Sequence, residues 1–397
     1  MFRKAFSFLR PYLAAIMSDK ERICTCAMNR IFGYEPEIAH RIIDHFGSAS
    51  ALFELREDEL RGLFGPFSRF NGRISPIEIE KSLREIEYMS SLGARFITIA
   101  DPGYPRLLRE CSDAPVGIYV MGSSADNDIF NVRPCIAIVG TRGLTSYGRE
   151  WCRQIIAAMS RAKIKPSIVS GMAIGTDICA HEAALETGLS SIGVMPSGLD
   201  QIYPSRHRGF ASRLASTPGC ALISDYPPET GAAKVNFVRR NRIIAGMCSA
   251  TILVESRTDG GGMITARLAS SYGRDLFCLP GRIDDICSQG CNQLIHEKMA
   301  EPIAELGSLV EALGLGTSSR RKSSDLRAEL EEHYGNESPM VRLGLEIKKH
   351  RDTDIPSLAS TFGMPYLEVS KMCSMLEADG FINIDLLQRC SINVKIV

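Results

Sequence analysis

The sequence predicts an α/β protein built on a Rossmann-like, doubly wound, mainly parallel sheet, with a small N-terminal helical domain and a C-terminal winged-helix domain. Three observations lead there. Six short apolar runs between residues 135 and 280 alternate with stretches long enough for crossover helices. The text before them is helical in period, and the text after them closes on three helical patterns and two short β-prone ends. A chain of 397 residues also suggests two or three domains, at roughly one per ~150 residues.

Composition bounds the function classes. Hydrophobic residues at 45% and charged residues at 23% argue against disorder as the main state. A formal net charge of zero excludes a polycation that coats nucleic acid by bulk charge, so any such binding must come from a local patch. Thirteen cysteines, odd in number and set in apolar segments (Cys135, Cys248, Cys278), fit reduced thiols and a cytoplasmic location. Arg10 and Pro11 cut the first apolar run before the core of an export signal is complete, so none is read. No window approaches the ~18 apolar residues of a membrane helix, and no membrane partner is expected.

The first domain is expected over 19–92. Ile38, Ile42, Ile43 and Phe46 follow helical spacing and Gly47 stops that helix; LFGPF at 63–67 marks a turn among small helices. This resembles a degenerate helix-hairpin-helix or sterile-alpha-motif-like module. Gly65 followed by Pro66 lacks the usual backbone-gripping turn, so packing or protein contact is the better reading.

The second domain is expected over 102–310, with strands in CIAIVG (135–140), SIVS (167–170), SIGVMP (191–196), CALISDY (220–226), ATILVE (250–255) and DLFCLP (275–280). Fully apolar strands joined by helices make a parallel sheet covered on both faces. The stretch 314–338, rich in Ser, Gly and charge, reads as a linker. Over 339–397, VRLGLEIKKH, IPSLASTF and PYLEVSKMCSMLEADG, followed by FINI and SINVKIV, give the winged helix. Its third helix sets Val369, Met372, Cys373 and Leu376 on one stripe and leaves Glu368, Glu377 and Asp379 against Lys371, a face better suited to protein than to DNA.

Four loops follow strands on one sheet edge, where α/β sheets place ligands. After the first strand, Gly140 and Arg142 offer either an anion site at a helix N-terminus or an ordinary strand-to-helix corner. The pattern lacks G-x-G-x-x-G, and no Walker sequence occurs, so tight dinucleotide or triphosphate binding is not expected and no cofactor is assigned. After the second strand, Asp177 and His181 fit a general base with its orienting group, or, as preferred here, capping and an internal hydrogen bond. After the last strands, Gly260, Gly261 and Gly262 before a helix permit close approach to the backbone. Cys287, Cys291 and His296 lack a fourth ligand at zinc-like spacing, so no metal is assigned.

The segment 234–255 is the most informative. It contains Lys234, Arg239, Arg240 and Arg242 with no acidic residue between Glu229 and Glu255, and leads Asn236 and Phe237 into an apolar strand candidate. Segregated charge in a neutral chain points to a phosphate-bearing ligand.

Taken together, GTRGLTSYG, SGMAIGTDICAHEAAL, LDQIYP, LISDYPP, NFVRRNRIIAGM, GGGMITA, GRDLFCLPG and GCNQLIHEKMA resemble, in order and spacing, the DNA-processing protein A family (DprA, also called Smf), strongly over 102–302. The resemblance implies an extended Rossmann-like DNA-binding domain in a homodimer that is not an enzyme. It implies binding of single-stranded DNA, displacement of single-strand-binding protein and loading of RecA recombinase during natural transformation. It makes Arg142 a phosphate contact, places Lys234 and Phe237 in the groove with Phe237 as a base-stacking platform, and has Ser170, Gly171, Asn236, Arg239 and Arg242 line or brace it. Gly140 and Gly261 belong to the same rim. Asp259 stands where the family often has lysine and removes one positive charge. The rival reading is a phosphoribohydrolase-like, nucleotide-processing enzyme on a related scaffold, although DGGGMITA has Thr265 and Ala266 where that chemistry needs a glutamate.

Overall fold

A computed structural model describes residues 19–316, 326–336, 338–350, 353–385 and 388–392. The stretch 1–18, read above for an export signal, lies outside the described residues, as do 317–325 of the expected linker and 393–397 of the last strand candidate. The chain forms two compact units, 1–317 and 318–397.

The first unit is organised by a nine-stranded sheet: β1 (Ala94–Thr98), β2 (Gly117–Met121), β3 (Cys135–Val139), β4 (Ser167–Ser170), β5 (Ser190–Val194), β6 (Ala221–Ser224), β7 (Ala250–Leu253), β8 (Asp275–Cys278) and β9 (Glu301–Pro302). Their order across the sheet is β1-β2-β6-β5-β4-β3-β7-β8-β9. The seven strands from β6 to β9 run parallel, in registers such as Ile136 beside both Ile168 and Ala250. All six apolar runs named from the sequence form strands.

Side-chain alternation along each strand splits the core in two. Ile136, Ile138, Ile168 and Ile252 pack under helices Ser146–Ser160 and Thr176–Glu186 through Ile155, Ile156, Ala180 and Ala183. Ala137, Val139, Val169 and Leu253 face the other way, toward Ile243, Ile244, Met263 and Ala266 of helices Lys234–Gly246 and Gly261–Ser271. Each fully buried aliphatic side chain stabilises by roughly 1.5–3 kcal/mol, so both faces are held firmly.

The sheet starts earlier than the sequence suggested. β1 and β2 pair antiparallel, and β2 joins β6 antiparallel, which extends the α/β body back from 102 to Ala94. The helical segment before it contains a helix over 19–32 and helices Pro36–Phe46, Glu57–Phe64 and Pro76–Ser91. Gly47 caps the second of these in the left-handed conformation, as its place after Phe46 implied. This segment has its own core, in which the rings of Phe32 and Phe70 lie 4.9 Å apart. It is fastened to the sheet where the Asn29 amide donates to the Asp225 carbonyl at 2.9 Å.

The second unit contains helices Leu326–Tyr334, Pro339–Lys349, Ile355–Phe362 and Tyr366–Ala378 and an antiparallel sheet ordered Thr353–Asp354, Arg389–Ile392, Ile382–Ile384. The first helix corrects the reading of 314–338 as linker: Leu326 and Leu330, four apart, are fully buried in the same core as Leu343 and Ile347. Two apolar residues amid serine and charge were too sparse a signal. In Tyr366–Ala378, Val369, Cys373 and Leu376 are buried while Glu368, Lys371 and Glu377 are exposed, matching the stripe read from sequence.

Candidate nucleic-acid interface

From β3 the sheet grows both ways, to β4 on one side and β7 on the other, so the crevice beyond β3 and β7 is the topological switch point. That crevice is filled by the chain itself. Glu255, two residues past β7, is completely buried, and its carboxylate accepts the Thr145 backbone N–H at 3.0 Å and the Thr145 hydroxyl. Thr145 is the N-cap of helix Ser146–Ser160, where its Oγ1 accepts the Gly148 N–H at 3.1 Å. Any Cβ on Gly148 would overlap the carboxylate, so only glycine permits this approach. The anion position that a helix N-terminus offers is thus held by a resident carboxylate.

The neighbouring rim is different. Exposed Arg142, on the loop after β3, lies over the half-buried ring of Phe237 with its guanidinium carbon 4.7 Å from the centroid. Tyr203, 46% exposed on the loop after β5, meets the same ring edge-on at 5.5 Å. Lys234 is exposed one helical turn before Phe237 and has no ion pair among the described residues, nor has Arg142. A guanidinium lies on an aromatic face, an ammonium stands one helical turn away, and neither cation is in an ion pair among the described residues, which suits phosphate contact combined with base stacking.

Residues 234–242 form the first turns of a helix, Lys234–Gly246, rather than a polar lead-in to a strand. Up to Arg242 its amphipathicity is inverted: Val235 and Val238 are 53% and 42% exposed, while Asn236, Arg240 and Arg242 are at most 6% exposed. The basic run is accordingly not one surface patch. Arg242 pairs with Asp225 at 2.6 Å and also donates to the Asp113 carbonyl; burial lowers its pKa, and the two acidic residues more than restore it. Arg240 donates to the Val194 carbonyl and lies against Gly171 so closely that a Cβ there would collide with the guanidinium. Burial brings its pKa down to about 10 despite facing Asp177. Arg239 donates to the Tyr34 carbonyl at 2.9 Å and to the Gly33 carbonyl.

Asn236 and Arg242, expected to line or brace the groove, are buried and held by contacts within the fold, so neither side chain is exposed on the rim. Ser170 is likewise buried, its hydroxyl donating to the Ile138 carbonyl at 2.6 Å, and Gly171 is buried beneath Arg240. Gly140 is half-exposed at the end of β3, backed by Thr176 and Glu255, and Gly261 is exposed at the first turn of helix Gly261–Ser271.

Asp177 and His181 do not act on each other. Asp177 accepts the Ala173 N–H at 3.2 Å, and burial raises its pKa. His181 shares a hydrogen bond with the Ser191 hydroxyl at 2.7 Å; burial, with Arg240 and His207 adding to it, holds its pKa down to about 3, so the ring is neutral. The internal-hydrogen-bond reading is the one realised. Among the described residues no group of three or more His, Cys, Asp or Glu is placed to hold a metal, and no helix is long and apolar enough to cross a membrane.

The model of the DNA recombination-mediator protein A family matches residues 95–314. The chain belongs to this family. As a member, it is a DNA-processing, recombination-related protein. It is 32% identical over 301 residues to the Smf protein of a Synechocystis strain, covering 75% of this chain and 74% of that one. It is 36% identical over 200 residues to the DNA processing protein DprA of Streptococcus pneumoniae, covering 50% and 68%. The X-ray structure of the Streptococcus pneumoniae DprA protein superposes with a TM-score of 0.53 at 29% identity, over 66% of this chain and 92% of that one. The matched span begins at β1, which agrees with the observed start of the sheet.

Within this family member, sequence reasoning missed two residues at the site. Tyr203 stands in LDQIYP, quoted above as a motif but not as an aromatic partner of Phe237. Glu255, read as the end of a strand, seals the crevice; a carboxylate ending an otherwise apolar run was the available signal.

Proposed function

We propose that this chain binds single-stranded DNA without sequence preference, as a non-catalytic, cytoplasmic homodimer, and delivers it to RecA recombinase during DNA uptake. The observation that carries the binding step is Arg142 stacked on Phe237 beside Lys234, with neither cation paired to a carboxylate among the described residues. Every base has a π-face, so an aromatic platform with backbone cations takes any sequence. Delivery to RecA, dimerisation and a role in transformation are part of the proposal; membership of a recombination-mediator family is what supports them. The C-terminal unit is read as a winged helix whose acidic helix Tyr366–Ala378 contacts protein, with Glu368 and Glu377 exposed. The phosphoribohydrolase-like alternative is weakened by Glu255, which occupies the crevice a nucleotide phosphate would need; release of free base from nucleoside monophosphates would revive it.

The test is a titration of fluorescent oligo(dT) and of duplex at two salt concentrations. Phe237→Ala should lose roughly 1–3 kcal/mol of single-strand affinity, one base stack. Arg142→Ala should also lower the slope of log affinity against log salt by about 0.7. Wild-type affinity in both variants, with intact folds, removes the groove assignment.

A further inference from the structure

The Arg142–Phe237 pair has a counterpart on the other side of the same helix. Arg239 lies over the ring of Tyr34 with its guanidinium carbon 4.3 Å from the centroid. Tyr34 belongs to the N-terminal helical segment, just past the helix over 19–32, and its hydroxyl donates to Asn236 at 3.4 Å. Phe237 and Arg239 are two residues apart, so they leave the helix on nearly opposite sides. Exposed Lys234, Val235 and Val238 lie on the turn between them.

We infer that the N-terminal segment supplies a second base-stacking platform, Tyr34 on Arg239, so that a bound single strand crosses the first turn of helix Lys234–Gly246 from Phe237 to Tyr34. This rests on the single-strand binding proposed above and extends its footprint. A docking clamp between the segments would need only the Arg239 guanidinium and the carbonyls of Gly33 and Tyr34 that it already holds. It does not account for the open face of the Tyr34 ring, which at 57% is the most exposed tyrosine among the described residues. The guanidinium backs the ring and supplies positive charge, and Lys234 extends that charge across the turn. The nearest acidic neighbour in sequence, Glu35, is neutralised by Arg69.

The span is of the right order. Two platforms on opposite sides of one helix stand about 10 Å apart, which is about three nucleotides at ~3.4 Å each in a stacked strand. The site therefore takes a continuous polynucleotide and gives no advantage to a mononucleotide. Its signature is a dependence on length: an oligonucleotide too short to reach beyond Phe237 cannot sense Tyr34.

The experiment measures affinity of the full chain for oligo(dT) of increasing length, comparing Tyr34→Ala, Tyr34→Phe and Phe237→Ala with the unaltered chain. In parallel, bromodeoxyuridine-substituted oligonucleotide is photo-cross-linked to the unaltered chain and the attached peptide mapped. Tyr34→Ala should match the unaltered chain on the shortest binding oligonucleotides and fall about fivefold to a hundredfold behind on long ones, the range of one lost stack. Tyr34→Phe should restore long-oligonucleotide affinity, and a cross-link should map to the peptide carrying Tyr34. An unchanged length dependence in Tyr34→Ala, with cross-links confined to the Phe237 and Tyr203 peptides, overturns the inference while leaving the first platform intact. Loss of affinity at every length in Tyr34→Ala together with no cross-link at Tyr34 assigns the residue to docking and also overturns it. No effect of Phe237→Ala at any length overturns the underlying single-strand reading itself.

Discussion

Two anion-capable places lie side by side at the carboxyl edge of the sheet, and they are finished in opposite ways. At the switch point, the helix N-terminus is satisfied by the buried Glu255 carboxylate. Three residues before Thr145 on the same loop, Arg142 is exposed over Phe237 and forms no ion pair among the described residues. The same contrast runs through helix Lys234–Gly246, where Arg242 is matched by Asp225 and Lys234 is left in water. Cationic side chains in a sequence therefore divide by whether the fold supplies a counter-charge. Those that receive one, or are buried against carbonyls as Arg240 is, belong to the fold, and those left exposed without one stay open to solvent and its ions.

The sharpest way to break this division is at its interior end. Arg242→Ala leaves Asp225 buried without its partner and should cost about 3–5 kcal/mol, read from the denaturant midpoint. Lys234→Ala should leave that midpoint unchanged and weaken only DNA binding. Equal stability losses in the two variants would erase the distinction.

Glu255→Ala sharpens the comparison at the crevice. It strips the Thr145 N–H of its acceptor, with an expected cost of about 1–3 kcal/mol. It also opens the seat to an external anion, so inorganic phosphate should raise the melting temperature of the variant more than that of the unaltered chain. An identical response in both would mean that the carboxylate holds no anion position.

A smaller effect, graded with pH, belongs to His181. Its folded pKa, about 3, lies below the ordinary value near ~6.5, so the unfolded chain binds the extra proton between them. Its contribution is complete above the unfolded value and is lost as pH falls toward 3, by at most about 1.4 kcal/mol per pH unit. Asp177, with its raised pKa, contributes in the opposite sense. Urea midpoints at pH 7 and pH 5 should therefore fall less steeply in His181→Asn than in the unaltered chain; parallel slopes would rule out a buried neutral imidazole.

The parallel sheet was legible because buried strands such as Cys135–Val139 and Ala250–Leu253 are apolar apart from Thr251 and are separated by helix-length text. The antiparallel pair Ala94–Thr98 and Gly117–Met121 was not, since it precedes that rhythm and its first strand begins ARF, mixing charge with apolar residues. At the site, the nearness of Arg142 and Phe237, 95 positions apart in the numbering, came with the family resemblance rather than from spacing or periodicity. The helix over 234–246 misled, because up to Arg242 its inward face carries asparagine and arginine and its outward face carries valine, the reverse of the usual code, and the buried Ile243 and Ile244 come only near its end. Periodicity reports which residues share a face. It does not report which face is inside when buried polar groups find partners there.

Asp225 is held from two directions: the Asn29 side chain takes its backbone oxygen, and Arg242 takes its carboxylate. Arg239 meanwhile reaches back to Gly33 and Tyr34. The leading helices and the α/β body are thus tied by reciprocal anchors rather than joined end to end like beads. Because each anchor is one side chain on a backbone carbonyl of the other stretch, cutting the chain between them would leave both stretches with polar groups that only the other can satisfy.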